Sequence, residues 1–297
     1  MNNFKDMVTK HLENYKINKL RVAETGIFRY RGKEIPCGHI LPENMGDLNI
    51  IYPYNLELNS SQSLNFKRHK YFHHLNSSQA MCINFFFPLI KAKQLEYVLK
   101  ILNISGRVDY SSVAFEKESN VEAPSDRKTS FDFYFQTLEG SNIFFEIKYT
   151  ENGFGKAIHD QEHIDKFNRT YEPAMKKCSA IKDEYKTMDQ FLEHYQIMRN
   201  LVNINEKNYV VFIYPEENLN IKRDAENVNA NIISKNWQKH FIPLTWETLV
   251  ADPNSYLSSI QLKQYYENEF SKKYLGYKQQ SKKPMLYRAT VLQIPEA

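Results

Sequence analysis

Residues 129–151 read TSFDFYFQTLEGSNIFFEIKYTE, two runs in which aromatic and polar residues alternate, joined across a glycine. Successive side chains on a β-strand point to opposite faces. A strand over 130–138 therefore turns Phe131, Phe133 and Phe135 one way and Asp132, Tyr134 and Gln136 the other. A strand over 142–149 groups Phe145, Ile147 and Tyr149 on one face and Phe144, Glu146 and Lys148 on its opposite. Each strand buries an aromatic side and carries acidic residues on the reverse.

The rest of the chain supplies what such strands need to pack against. Residues 4–22 alternate apolar and charged positions with helical spacing, and 26–56 carry the turn signals of short strands and loops. Asn76, Ser77 and Ser78 can cap a helix, which Pro88 is expected to break before a second helix over 89–102. A further strand is expected over 108–115, a polar loop over 117–129, and a long helix over 184–203. NYVVFIYP (208–215) is an almost unbroken apolar run, the pattern of a strand covered on both faces. A last strand is expected over 240–246 and helix over 255–275. This order predicts a mixed α/β fold with helices against a central sheet.

Composition sets outer limits. A chain of 297 residues with 42% hydrophobic and 25% charged residues can bury a real core and is not mainly disordered. Three scattered cysteines argue against a disulfide scaffold and for a cytoplasmic protein, as does a start whose charges interrupt any signal-peptide core. The longest apolar stretch, Ile83 to Ile90, is too short for a membrane span, so no membrane partner is expected. A net charge of +4 permits nucleic acid as a partner without requiring it.

If Glu139-Gly140-Ser141 forms a three-residue hairpin loop, Asp132 falls opposite Lys148 and Glu146 lies one diagonal away, roughly 7–8 Å between alpha carbons. Carboxylates so spaced can reach one divalent ion, whose oxygen ligands lie at about 2.0–2.6 Å. Two carboxylates, an ammonium and a hard metal suit phosphodiester hydrolysis. The same three residues would equally decorate the wet face of a hairpin.

Asp132, then Glu146-Ile147-Lys148 at the end of the next strand, between flanking helices, resembles the PD-(D/E)XK nuclease superfamily. With HHLNSSQAMCINFFFPL, TSFD, FEIKYTE and YQIMRN (195–200), the chain over residues 26–250 is similar to the PGN_0703-like branch of restriction-endonuclease-like proteins. The resemblance implies an αβββαβ core with a central mixed sheet flanked by helices. It places that core at 76–250, an N-terminal extension packed on it at 1–75, and a C-terminal helical extension at 251–297. It implies Asp132 and Glu146 as ligands of Mg²⁺, for which Mn²⁺ can substitute, and Lys148 as the catalytic lysine. An upstream acidic residue would complete the metal shell, with Glu116 preferred and Glu96 second. Ser130 and Phe131 stand where the signature has a proline that the chemistry does not require. The implied function is a Mg²⁺-dependent endonuclease, with double-stranded DNA the expected substrate and a homodimer one way to cut both strands. The alternative is a nucleic-acid-binding or scaffold protein that keeps the fold without turnover.

Other segments add candidates. Gln196, Asn200 and Asn203 recur at helical spacing beside Arg199, and Gln196 or Arg199 can face the site. NFKRHKYFHH (65–74) interleaves Lys67, Arg68 and Lys70 with aromatics, a fair nucleic-acid patch. KKYLGYKQQSKK (272–283) is similarly basic. Ser77, Ser78, Gln79 and Asn84 read as structural. Cys37/His39, His69/His73 and His159/His163 lack the spacing of a zinc site.

Overall fold

The computed structural model describes residues 3–60, 66–251, 253 and 257–278, so part of the C-terminal extension and residues 279–283 of the basic segment lie outside the described residues. The chain opens with α1 (Asn3–Asn18), which buries Phe4, Val8 and Leu12 once per turn. A hairpin of β1 (Gly26–Tyr30) and β2 (Lys33–Cys37) follows, then a 3-10 turn at Glu43–Asn49 and α2 (Tyr54–Ser60).

The core sheet has the order β3-β4-β5-β6-β7. Its strands are β3 (Val108–Glu118), β4 (Ser130–Thr137), β5 (Asn142–Ile147), β6 (Asn208–Tyr214) and β7 (Phe241–Thr245). The first three run antiparallel, and β5, β6 and β7 are parallel. Parallel neighbours need a long crossover. Between β5 and β6 it holds α5 (Gln161–Lys166), a π turn at Phe167–Tyr171, α6 (Glu172–Lys177), α7 (Met188–Glu193) and α8 (Tyr195–Leu201). Helix α9 (Leu219–Asn227) links β6 to β7, and α10 (Trp246–Val250) follows β7. This is the mixed α/β core, with its central mixed sheet between helices, that the sequence predicts.

Two apolar clusters cover the sheet. One gathers Phe133, Phe135, Phe145 and Ile147 with α1, α3 (Ser78–Lys91), α4 (Glu96–Ile101) and the helical residues 260–277. Its centre is Phe86 stacked on Phe133, with ring centroids 3.9 Å apart. The other gathers Val210, Phe212 and Tyr214 with α7, α8, α9 and residues 167–181. Phe131 departs from the expected alternation: it belongs to this second cluster, 4.8 Å from the Phe144 ring. Among the described residues no helix is long and apolar enough to cross a membrane.

Three expectations need correction. Pro88 does not break its helix: α3 runs through it to Lys91. A proline lacks the N–H that would serve the carbonyl of Asn84, four residues back. The Tyr265 hydroxyl donates to that carbonyl instead, at 2.7 Å, and Tyr266 donates to the next one, Phe85, at 2.6 Å. The long helix over 184–203 is two helices, separated at His194 (φ −112°, ψ 33°). The hairpin loop is one residue earlier than expected: Thr137 N–H bonds to the Ser141 carbonyl at 2.8 Å around Leu138-Glu139-Gly140. A three-residue loop wants its last position left-handed, and Gly140 takes it at φ 91°. Moving the loop by one residue moves the register by two, which preserves the faces.

Candidate active site

The corrected register brings the acidic residues closer than the diagonal expected. The last β4–β5 pair is Phe133 with Phe145, and the same register continued by one residue puts Asp132 level with Glu146 rather than Lys148. On the other side, the pairs Phe115–Phe133 and Lys117–Phe131 set Glu116 opposite Asp132. Glu116, Asp132 and Glu146 thus fall at matching levels of β3, β4 and β5. Glu116 holds its place at φ 53°, in the left-handed region that side chains other than glycine avoid.

A cavity of about 350 Å³ opens over this row. Its lining includes Glu116, Asp132, Glu146, Lys148, Gln196 and Arg199, all singled out from the sequence, together with His69 and Asn200, which were not assigned to the site. Glu96, the second candidate for the upstream acid, is elsewhere: its carboxylate accepts from Val108 N–H at 3.1 Å and Tyr110 hydroxyl at 2.8 Å.

Each carboxylate has its own partners. Glu146 is buried, and its Oε1 accepts from Lys148 Nζ at 2.9 Å and Gln196 Nε2 at 2.8 Å. Its Oε2 accepts from Asn200 Nδ2 at 3.1 Å. The Gln196 amide is oriented by Gly155, whose N–H donates to Gln196 Oε1 at 3.3 Å, leaving Nε2 for Glu146. Asp132 Oδ2 accepts from Ile147 N–H at 2.6 Å. Glu116 accepts from Gln79 Nε2 at 2.8 Å, from the Ser130 hydroxyl at 3.1 Å, and lies 3.3 Å from His69 Nε2. Gln79, read as structural, therefore serves the site.

The electrostatics follow from three acids and one nearby amine in a buried setting. Burial, then the Glu146 and Glu116 charges, push Asp132 well above the usual carboxylate range. Burial pulls Lys148 down, but Glu146, Glu151 and Asp132 outweigh it and hold the ammonium above its ordinary value. Glu116 is also desolvated, yet His69, Gln79 and Ser130 keep it below the usual range. Lys148 Nζ further lies 5.2 Å from the Phe154 ring centroid.

The row offers carboxylate oxygens, the donors a hard divalent cation takes. In type and charge it fits such an ion. Among the described residues, however, no three His, Cys, Asp or Glu side chains converge closely enough to hold a metal.

Lys67, Arg68 and Lys70 line an adjoining cavity of about 510 Å³, which shares His69 and Glu116 with the first. Arg68 pairs with Asp47 and lies 4.7 Å from the Phe72 ring centroid. Arg199 donates from Nε to the Tyr171 hydroxyl at 2.9 Å and lies 3.6 Å from Glu122. In the C-terminal basic segment Lys273 is wholly buried, donating to Asn49 Oδ1 at 2.7 Å, so this residue presents no surface charge.

His69 and Asn200 carried a signal. His69 sits inside the basic, aromatic run, and Asn200 stands one turn after Gln196, which puts both amides on one side of α8.

Comparisons with curated proteins and with solved structures return no match. A family model does: the one described as restriction endonuclease associating with ARP spans residues 9–275, nearly the whole chain that builds the sheet and its cavity. The chain belongs to this restriction-endonuclease-like family.

Proposed function

We propose that the protein is a Mg²⁺-dependent nuclease of the PD-(D/E)XK kind that hydrolyses phosphodiester bonds in DNA. The observation that carries this reading is the row Glu116–Asp132–Glu146 with Lys148 in a single cavity. Asp132 and Glu146 would hold the ion, Mn²⁺ substituting for Mg²⁺, and Glu116 would complete its shell. When bound, such an ion neutralises the scissile phosphate and acidifies an attacking water. Lys148 keeps its proton among the carboxylates and is placed to orient that water or to meet charge developing on phosphate. Gln196 and Asn200 hold both oxygens of Glu146 in one orientation. Arg199, with Lys67, Arg68 and Lys70 in the adjoining cavity, supplies contacts to backbone phosphates. The reading includes a cytoplasmic location, and a homodimer would bring two such sites to opposite strands. The family's description names an association with ARP, which we extend to this chain as part of the reading.

The test is incubation with supercoiled plasmid, linear duplex, single-stranded DNA and RNA, each with Mg²⁺, Mn²⁺ or EDTA. Lys148→Ala is expected to keep the fold and nucleic-acid binding while Mg²⁺-dependent cleavage falls at least ~10²-fold, the usual loss for one electrostatic contact. Cleavage at the wild-type rate in the purified variant removes Lys148 from the mechanism.

One observation favours a second reading, a nucleic-acid-binding scaffold without turnover. Both Glu146 oxygens are already taken by donors of the chain, and no three ligating side chains converge among the described residues. Calorimetric titration with Mg²⁺ and Mn²⁺ separates the two: binding that Asp132→Asn abolishes supports the enzyme, and no binding supports the scaffold.

A further inference from the structure

We propose that the loop between β3 and β4, residues 119–129, is a phosphate-gripping wall of the cavity, with Arg127 its principal contact and Arg199 beside it. The proposal rests on the nuclease reading and adds where the substrate's backbone is held next to the carboxylate row.

Arg127, Lys128, Thr129 and Ser130 line the same cavity as Asp132 and Glu146. Arg127 is exposed, and its guanidinium meets no carboxylate among the described residues. Lys128 is different, being paired with Glu118 at 3.1 Å. Arg127 thus lines the carboxylates' cavity without a counterion among the described residues, on a loop whose backbone is held in place. Arg169 donates to both oxygens of Asp126, at 2.9 and 3.0 Å. Lys166 Nζ donates to the Arg127 carbonyl at 2.6 Å. Farther along, the buried Glu122 carboxylate accepts from Thr129 N–H at 3.0 Å and the Tyr171 hydroxyl at 2.7 Å, and faces Arg199 at 3.6 Å. The loop is thus tied to the crossover segment at Glu122, at Asp126 and at the Arg127 carbonyl itself.

The ligand class follows from what the wall offers. A guanidinium presents a fork of donors that matches two oxygens of one phosphate. Among the described residues the cavity lining holds no Phe, Tyr or Trp on which a base could stack, and His69, its one aromatic ring, faces Glu116. With no such ring to hold a base, the wall is expected to contact the phosphodiester backbone, a contact that carries no sequence information.

The experiment compares wild type, Arg127→Ala and Lys10→Ala, the last an exposed cation on α1 that is not part of the cavity lining. Each is titrated in EDTA with fluorescent duplex and single-stranded oligonucleotides of unrelated sequence, between roughly 50 and 200 mM salt, the range over which phosphate contacts weaken. Loss of one phosphate contact is expected to flatten the slope of log K against log salt by about 0.9 on duplex and about 0.7 on single strands. Arg127→Ala should show this on every sequence, and Lys10→Ala should match wild type. An unchanged slope in Arg127→Ala, while wild type binds, overturns the wall and leaves the nuclease reading standing. A loss confined to one sequence also overturns it, since Arg127 would then read a base. Failure of the wild-type protein to bind any oligonucleotide overturns both.

Discussion

Tyr265 stands in for an atom that Pro88 cannot have, and that substitution can be measured. Within α3 the Asn84 carbonyl has no helical donor, because residue 88 has no N–H, and the Tyr265 hydroxyl supplies one at 2.7 Å in a wholly buried setting. Tyr265→Phe removes the donor and leaves that carbonyl buried and unsatisfied, a loss of about 1–3 kcal/mol. In a Pro88→Ala background the helix regains an N–H at that level, and deleting the same hydroxyl then removes only one of two donors, about 0.5–1.5 kcal/mol. The four proteins of this cycle are unfolded in urea and followed by tryptophan fluorescence, to which the buried Trp246 contributes beside Trp237. Equal denaturant slopes across the four make the comparison one of stability alone. Tyr265→Phe is expected to cost about 1 kcal/mol more in the wild-type background than in the Pro88→Ala background. A difference within about 0.3–0.5 kcal/mol, the usual error of additivity, would refute the argument that the hydroxyl replaces the missing N–H.

Other outcomes follow from the site. Glu116→Gly should be more stable than Glu116→Ala by about 1 kcal/mol in thermal or urea unfolding, the reverse of the normal strand order, because φ is 53° there; the alanine variant outlasting the glycine one would exclude strain at this position. Asn200→Ala should raise the Mg²⁺ concentration needed for half-maximal cleavage by about 10–100-fold, because Glu146 loses a partner that fixes its orientation, and an unshifted Mg²⁺ curve would count against that orienting role. Burial pushes Glu122 up, but Thr129 and Tyr171 outweigh it and keep its carboxyl below the usual range. Such a group stabilises the fold fully above its unfolded pKa of about 4.3, and the contribution fades as pH falls through the lower folded value. Glu122→Gln should therefore cost about 1–3 kcal/mol at neutral pH, with the gap to wild type narrowing below about pH 4. A gap that stays constant down to about pH 3 would speak against an ionised Glu122.

The site was legible to the extent that alternation is local. Facing directions of Asp132, Glu146 and Lys148 follow from a period of two, and an even shift of register leaves them intact. Their rung did not follow, because it depends on which residue of Leu138-Glu139-Gly140 takes the left-handed position. Phe131 escaped the pattern: it packs on Phe144 in the second cluster, not with Phe133 in the first. Helices at 161–177 and 219–232 went unread; π turns interrupt their period at Phe167–Tyr171 and Val228–Ile232. Pro88 misled for a different reason. The hydroxyl that permits its helix comes from residue 265, and no local rule reaches that far.

The two amides of α8 grip a single carboxylate by both ends. The orientation of Glu146 is therefore coupled to that of the helix. Behind those amides Ile197, Met198 and Leu201 are fully packed into the second apolar cluster. Greasy residues with no polar atom near the cavity are in this way its alignment screws, and trimming one of them would be felt at the acid row as a tilt rather than as a hole.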